Sequence, residues 1–579
     1  MERRTFFESL VEPLTALSAP DASIPPGENP FANKELPKVQ RTTAGLEPYT
    51  GIFGTAEALH LLRRTTFGPA PSDVKNAVLA GLTGTLNALL ATPTDEPSEP
   101  LIYDARDTVA SVGQTWVHSV YEASGATVNP VGLRTTSLKA WWMGLIVNQA
   151  LSIREKMVLF WHNHYATQIS TVADPRFSYY YLALLRSNAL GNFKDLTTKI
   201  TIDGAMLRYL NGNTNTKKAP NENYGRELQE LFTIGKGSEI APGDYTYYTE
   251  VDVQAAAHVL TGWKDAANAD GTVGPSPTST FIAANHDPTN KQFSPHYQNT
   301  VITGGSTAGD GPRELGALMD MIFAQTETPK SLCRELYRWF VYYLIDDTTE
   351  ANVIAPMADL LISNSYDVLP VLRTLLNSAH FFDSVNRGCM IKSPVDYLAG
   401  IFRLFSIALP LDPAHQYPLL NYITSVASSV DQNPGEPPNV AGWQAYYQTP
   451  EYYELWINTD TLPKRGNASS ALIRYGYSTG GAKIIIDPIG FLQSSISDPS
   501  NPTVIVRESA QLLFAVDMTD AQFAFLKNTL LPGLPDYEWS NEWTAYLGDP
   551  GNNTKKNAVT GKLITLYAFM MSMPEFQLM

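Results

Sequence analysis

The sequence predicts a mainly α protein: one large multi-helix body with a small β-containing insertion near residues 264–310 and an extended N-terminal arm. Three observations predict it. From Thr55 onward apolar residues recur at three- and four-residue spacing, in runs opened by Ser, Thr, Asp or Pro, as capped helices require. Apolar–polar alternation is brief and confined to one Gly-, Pro-, Thr- and Asn-rich segment, around FIA and TVITG. No period of 20–50 residues repeats, which excludes a solenoid.

Residues 1–45 read as the arm, since PDASIPPGENPF and KELPKVQRTT hold too many prolines for helix. The start, ERRTFF, resembles a twin-arginine export signal. Glu8 and Glu12 interrupt the apolar core that a cleaved signal needs, so it reads as an atypical leader. TAEALHLLRRTTF and PSDVKNAVLAGL are the first helices, the second with Pro at its start and Asp in its first turn. His60 reads as a satisfied core histidine. Arg63 and Arg64 read as anchors for a neighbouring loop, with a ligand carboxylate as the alternative. Residues 103–122 and 135–170 read as longer helices, and SLKAWWMGLIVNQ, apolar nearly all round, as buried. Thr249 with Asp252 resembles a capping box, and Ser393 with Asp396 reads as another cap. Helices resume at Glu314 and run to the end, interrupted by the turn-rich DQNPGEPPNVAGWQAYY (431–447).

Composition narrows the function. The chain has 579 residues, 44% of them hydrophobic and 17% charged, as a globular protein has. Fifty-seven acidic against 41 basic residues leave a net charge of −16, with no basic block, which argues against nucleic acid as a partner. Cys333 and Cys389 are too few for a cysteine-based zinc site. No run reaches 18 apolar residues, so no transmembrane segment is expected. Neither a G-x-S-x-G elbow nor a P-loop appears in a usable context. The 29 Tyr and 10 Trp suit sugar stacking or core packing equally.

Two stretches concentrate polar side chains. In REKMVLFWHNHYAT (154–167), taken as helix, Glu155 and His162 share a face while His164 points almost opposite. An unbroken helix therefore cannot bring both imidazoles to one metal. Glu155 and His162 are either a buried hydrogen-bonded pair or part of a catalytic or metal site. In PNENYGRELQELFTIG (220–235), Asn223, Glu227 and Glu230 fall on one face, and Glu222 with Arg226 is an i, i+4 ion-pair candidate. The two carboxylates suit a hard or borderline cation, or simply a solvated helix face. In the insertion, His286 and Asp287 are candidates for a lid that supplies a ligand or a general base.

Seven strings carry a wider resemblance: HLLRRTTFGP, REKMVLFWHNHYAT, NENYGRELQELFTIG, DVQAAAHVLTGW, HDPTNK, IKSPVDY and PPNVAGW, in that order. Together they resemble the bacterial proteins grouped as domain of unknown function 1800, over roughly residues 50–579. The resemblance implies an export-associated bacterial protein and no established chemistry. It departs at His258, where the family's AAxxLTGW string leads one to expect Arg.

Two functions follow as expectations. One is an exported metal-dependent hydrolase or oxidase acting on an extracellular polymer or glycan. His162 and/or His164, with Glu227, Glu230 and His286, would hold Zn²⁺, Fe²⁺ or Mn²⁺ and activate a bound water. Glu155 would orient His162, and Asn223 and Arg226 would position substrate or stabilise developing charge. The other is a non-catalytic scaffold binding a surface partner protein or polysaccharide, its motifs forming a buried polar network. A cytoplasmic location stays open beside export.

Overall fold

The computed structural model describes residues 41–92, 96–120, 130–266 and 279–579. The chain divides into two compact units, Met1–Thr42 and Thr43–Met579. The arm expected over 1–45 lies outside the described residues as far as residue 40.

The second unit is mainly helical. Helices α1 (Thr55–Thr65), α2 (Pro71–Leu89), α3 (Pro130–Asn148), α4 (Arg154–His164) and α5 (Pro175–Ser187) come first. They are followed by α6 (Glu222–Glu230), α7 (Glu250–Val259), α8 (Asp310–Phe323), α9 (Glu327–Phe340), α10 (Pro394–Leu404) and α11 (Pro413–Ser429). A further series runs from Thr461–Arg474 to Asn553–Ser572 near the end. One contiguous apolar core, from Leu59 in α1 to Phe576, ties them together.

Local chemistry explains where the helices begin. Pro occupies the first turn of α2, α5, α10 and α11, where its missing N–H costs nothing. The Thr249–Asp252 capping box forms, the threonine amide donating to Asp252 Oδ2 at 2.8 Å. Ser393 caps α10. α3 is buried through Leu138, Trp142, Met143 and Ile146, and it lies against α11, where a Cβ on Gly144 would stand 3.1 Å from Leu420. α6 crosses α7 as closely: a Cβ on Gly225 would meet the Val253 carbonyl at 3.0 Å and the Ala257 amide at 3.1 Å.

Among the described residues the strands form four antiparallel pairs. The expected insertion holds two of them: β3 (Trp263–Lys264) with β4 (Thr280–Phe281), and β5 (Lys291–Gln292) with β6 (Val301–Ile302). The pairs β1 (Glu239–Ala241) with β2 (Asp244–Tyr245), and β7 (Tyr477–Thr479) with β8 (Ala482–Ile484), lie outside it. The helix expected over 103–122 does not form within its described part, 103–120. That segment folds back on itself, with Ile102 N–H on the Gln114 carbonyl and Gly113 N–H on the Ile102 carbonyl, both at 2.8 Å. Gly113, at φ +88°, makes the turn. The single long helix expected over 135–170 is three, broken at 149–153 and again after His164.

Candidate functional site

α4 runs through the interior, every residue but Asn163 buried, so each polar side chain on it needs a partner. Glu155 takes Arg186 of α5 in a bidentate ion pair at 2.7 and 2.8 Å, and the Arg186 guanidinium lies 4.9 Å from the Trp141 ring centre. Lys156 meets Asp396 of α10 at 2.5 Å. The expected contact of Glu155 with His162 is therefore not made: the carboxylate is fully used by a guanidinium.

His162 is the exception on this helix. It is sealed among the rings of Trp142, Tyr181 and Trp443, with centroids 5.2–5.8 Å away. Among the described residues neither ring nitrogen has a hydrogen-bond partner. Burial pushes its pKa down to about 3, so the ring is neutral and behaves as an aromatic packing element. As the unbroken helix required, His164 faces elsewhere. Its Nδ1 meets Glu335 Oε2 at 2.7 Å and its Nε2 the Phe232 carbonyl at 3.1 Å. Both nitrogens face protein oxygens.

On α6 the four expected groups have different fates. The Asn223 side chain is exposed. Arg226 forms a bidentate pair with Glu250 at 2.6 and 2.7 Å, and Glu222 stands 3.6 Å away. Glu230 accepts from the Tyr248 hydroxyl at 2.8 Å and lies 3.4 Å from the Lys236 ammonium. Glu227 stands apart from Arg226 and Glu230. It is half-buried, and among the described residues no donor reaches its carboxyl. Burial, reinforced by the neighbouring Glu230 charge, raises its pKa to about 7.

His286 and Asp287 are removed from these groups in contact terms. His286 is buried, its Nδ1 2.8 Å from the Thr261 carbonyl and its Nε2 3.2 Å from Glu314. Lys291 bridges Glu314 and the Asp287 carbonyl, both at 2.5 Å. The Asp287 carboxylate accepts from the Thr289 amide and hydroxyl and meets His258 Nδ1 at 2.5 Å. This is a closed network that pins the insertion to α7 and α8. His258, standing where Arg was expected, keeps an ion-pairing contact with Asp287.

What does converge is a cavity of about 160 Å³. Phe160, Asn163 and His164 of α4 form one wall, Leu231 at the end of α6 another, and Glu335, Arg338 and Trp339 of α9 a third. Ala441, Tyr446 and Tyr447 close it. Three of the motif strings thus meet here. Asn163 anchors the loop, its Oδ1 accepting from the Trp443 amide at 2.9 Å; Gly442, at φ +86°, lets the backbone approach. Glu227 lies one turn before Leu231, on the same side of the helix. Glu227 is not itself among the residues that line the cavity; its charge, like that of Glu436, acts on Tyr209.

Glu335, Arg338 and Trp339 are residues that sequence reasoning passed over. Glu335 and Arg338 are three apart on the polar face of their helix, with Ser331 and Arg334 beside them, a spacing that was there to be read. Asp203 is also held up to about 7 by burial, but it accepts from the Ala205 and Met206 amides and caps the helix Gly204–Tyr209. Its role is structural.

Among the described residues, no three His, Cys, Asp or Glu side chains gather as a metal ion would require, and no helix is long and apolar enough to cross a membrane. The described residues form a large α-helical body in which three of the motif strings meet around a small aromatic cavity with Glu335, His164 and Arg338 at its wall. The chain belongs to the family described as "Protein of unknown function (DUF1800)", whose model matches residues 60–578. No curated protein and no solved structure matches it.

Proposed function

We propose that the chain is an exported enzyme that cleaves a glycan or similar neutral polymer by acid–base chemistry, with Glu227 as the proton-transfer group. The observation that carries this is the Glu227 carboxyl: half-buried, without a donor, and held at about 7, where a group both gives and takes a proton efficiently. The faces of Phe160, Trp339, Tyr446 and Tyr447 suit stacking on a sugar ring. Arg338 offers hydrogen bonds to hydroxyls. The cavity of about 160 Å³ is below the size of drug-sized ligand sites, which suits a single ring or chain end. Export is supported by the twin-arginine-like ERRTFF and by the family resemblance. In this reading Glu227 transfers the proton, and a bound Zn²⁺, Fe²⁺ or Mn²⁺ is not called on.

The test is release of new chain ends from a panel of polysaccharides. Glu227→Gln is expected to lower the rate at least 100-fold, and Glu230→Gln, whose carboxylate is already paired, by less than threefold. The wild-type rate should change through an apparent pKa near 7. Absence of cleavage across the panel, or a Glu227→Gln protein as active as wild type, overturns the proposal. In that case the partner-binding scaffold, favoured by the pairs Glu155–Arg186 and Arg226–Glu250, is the better account.

A further inference from the structure

A second cavity, of about 580 Å³, lies between α1, the 384–388 turn and the helix Pro502–Leu513 with the turn after it. Three arginines line it: Arg63, Arg387 and Arg507. In a chain of net charge −16 such a concentration of guanidinium needs a reason, and the acids nearby do not supply it.

Arg63 is buried, and its partners are the carbonyls of Gln511 at 3.2 Å and Leu512 at 2.8 Å. No carboxylate pairs with it among the described residues, and burial pushes its pKa down to about 10, as an uncompensated buried cation requires. Arg507 is exposed and rests 4.4 Å above the Phe523 ring, with no acid partner among the described residues. Arg387 gives one nitrogen to Glu57 at 2.5 Å, while its Nε is buried and has no partner among the described residues. Two acidic side chains share the lining. Glu508 is turned away to the Ser497 amide and hydroxyl, so among the described residues the carboxylates left beside the three guanidinium groups are Asp517 in the lining and Glu57 on Arg387.

We infer that this cavity binds a small oxyanion with more than one carboxylate or phosphate group, held by Arg63, Arg387 and Arg507. Guanidinium forks match both groups in paired hydrogen bonds, and an anion there would supply the countercharge that buried Arg63 lacks. The site is separate from Glu227 and does not depend on what that residue does.

Calorimetric titration with citrate and with pyrophosphate, at fixed ionic strength, tests it on the full chain. One-to-one saturable binding of at least one probe is expected, and which one binds distinguishes a carboxylate from a phosphate ligand. Arg507→Gln, a surface change that leaves folding intact, should weaken that binding at least tenfold, and Arg387→Gln should do the same. Arg474→Gln, remote from the cavity, should leave it within twofold. No saturable binding of either probe, or equal affinity in the Arg507→Gln protein, overturns the assignment.

Discussion

Replacing Arg186 by Leu is expected to destabilise the protein by about 3–5 kcal/mol, the cost of stranding one member of a buried ion pair. The Glu155 carboxylate that it leaves behind is 8% exposed and has its bidentate partner on α5 as its only counter-ion. The same substitution removes the guanidinium from the Trp141 face, a smaller loss on the order of 1 kcal/mol. Urea denaturation measures the effect. The double variant Glu155→Met/Arg186→Leu should recover most of the loss, because an apolar pair of similar volume carries no unpaired charge. A single variant within about 1 kcal/mol of wild type, or losses that simply add, would show that the pair does not hold α4 to α5.

Replacing His162 by Phe should flatten the acid limb of the stability curve. The sign follows from the shift. His162 titrates at about 3 when folded and at about 6.5 when unfolded. Between those values the unfolded chain binds the extra proton, so this residue costs stability as pH falls from about 6.5 towards about 3. The slope is on the order of 1 kcal/mol per pH unit. Phe keeps an aromatic ring against Trp142, Tyr181 and Trp443 and has no proton to gain. Subtracting its stability–pH curve from that of wild type isolates the imidazole from all other titrating groups. A constant difference between pH 4 and 6 would mean that the ring is solvated or partnered.

These two residues show how far the sequence could be read. Period and caps were local, so α4 as a helix, the opposed directions of His162 and His164, the Thr249–Asp252 box and the Ser393 cap were all legible. Partners were not. Glu155 finds Arg186 at 31 positions away and Lys156 finds Asp396 at 240, and nothing in the spacing of α4 names either. Segment 103–120 failed for a related reason: its apolar spacing suits a helix, but the cross-segment bonds at Ile102 and Gly113 win. Of the two acids in the expected cation set, Glu230 has a claimant in Tyr248, and Glu155, expected to orient His162, has one in Arg186. Glu227 emerged because it alone had none. Glu335 and Arg338 were missed because their helix read as core, and only the fold brings that helix against His164.

The same residue gives the most direct measurement. In a carboxyl titration followed by infrared difference spectroscopy, wild type minus Glu227→Gln, the Glu227 band is expected to change with a midpoint near 7. Over the interval from about 4.5 to 7 the folded protein then keeps a proton that the unfolded chain has lost, so the stability contributed by Glu227 is present at low pH and fades as pH rises through 7. A midpoint in the ordinary carboxylate range near 4.5 would contradict it, leaving Glu227 a solvated surface acid and the cavity beside it without a proton donor.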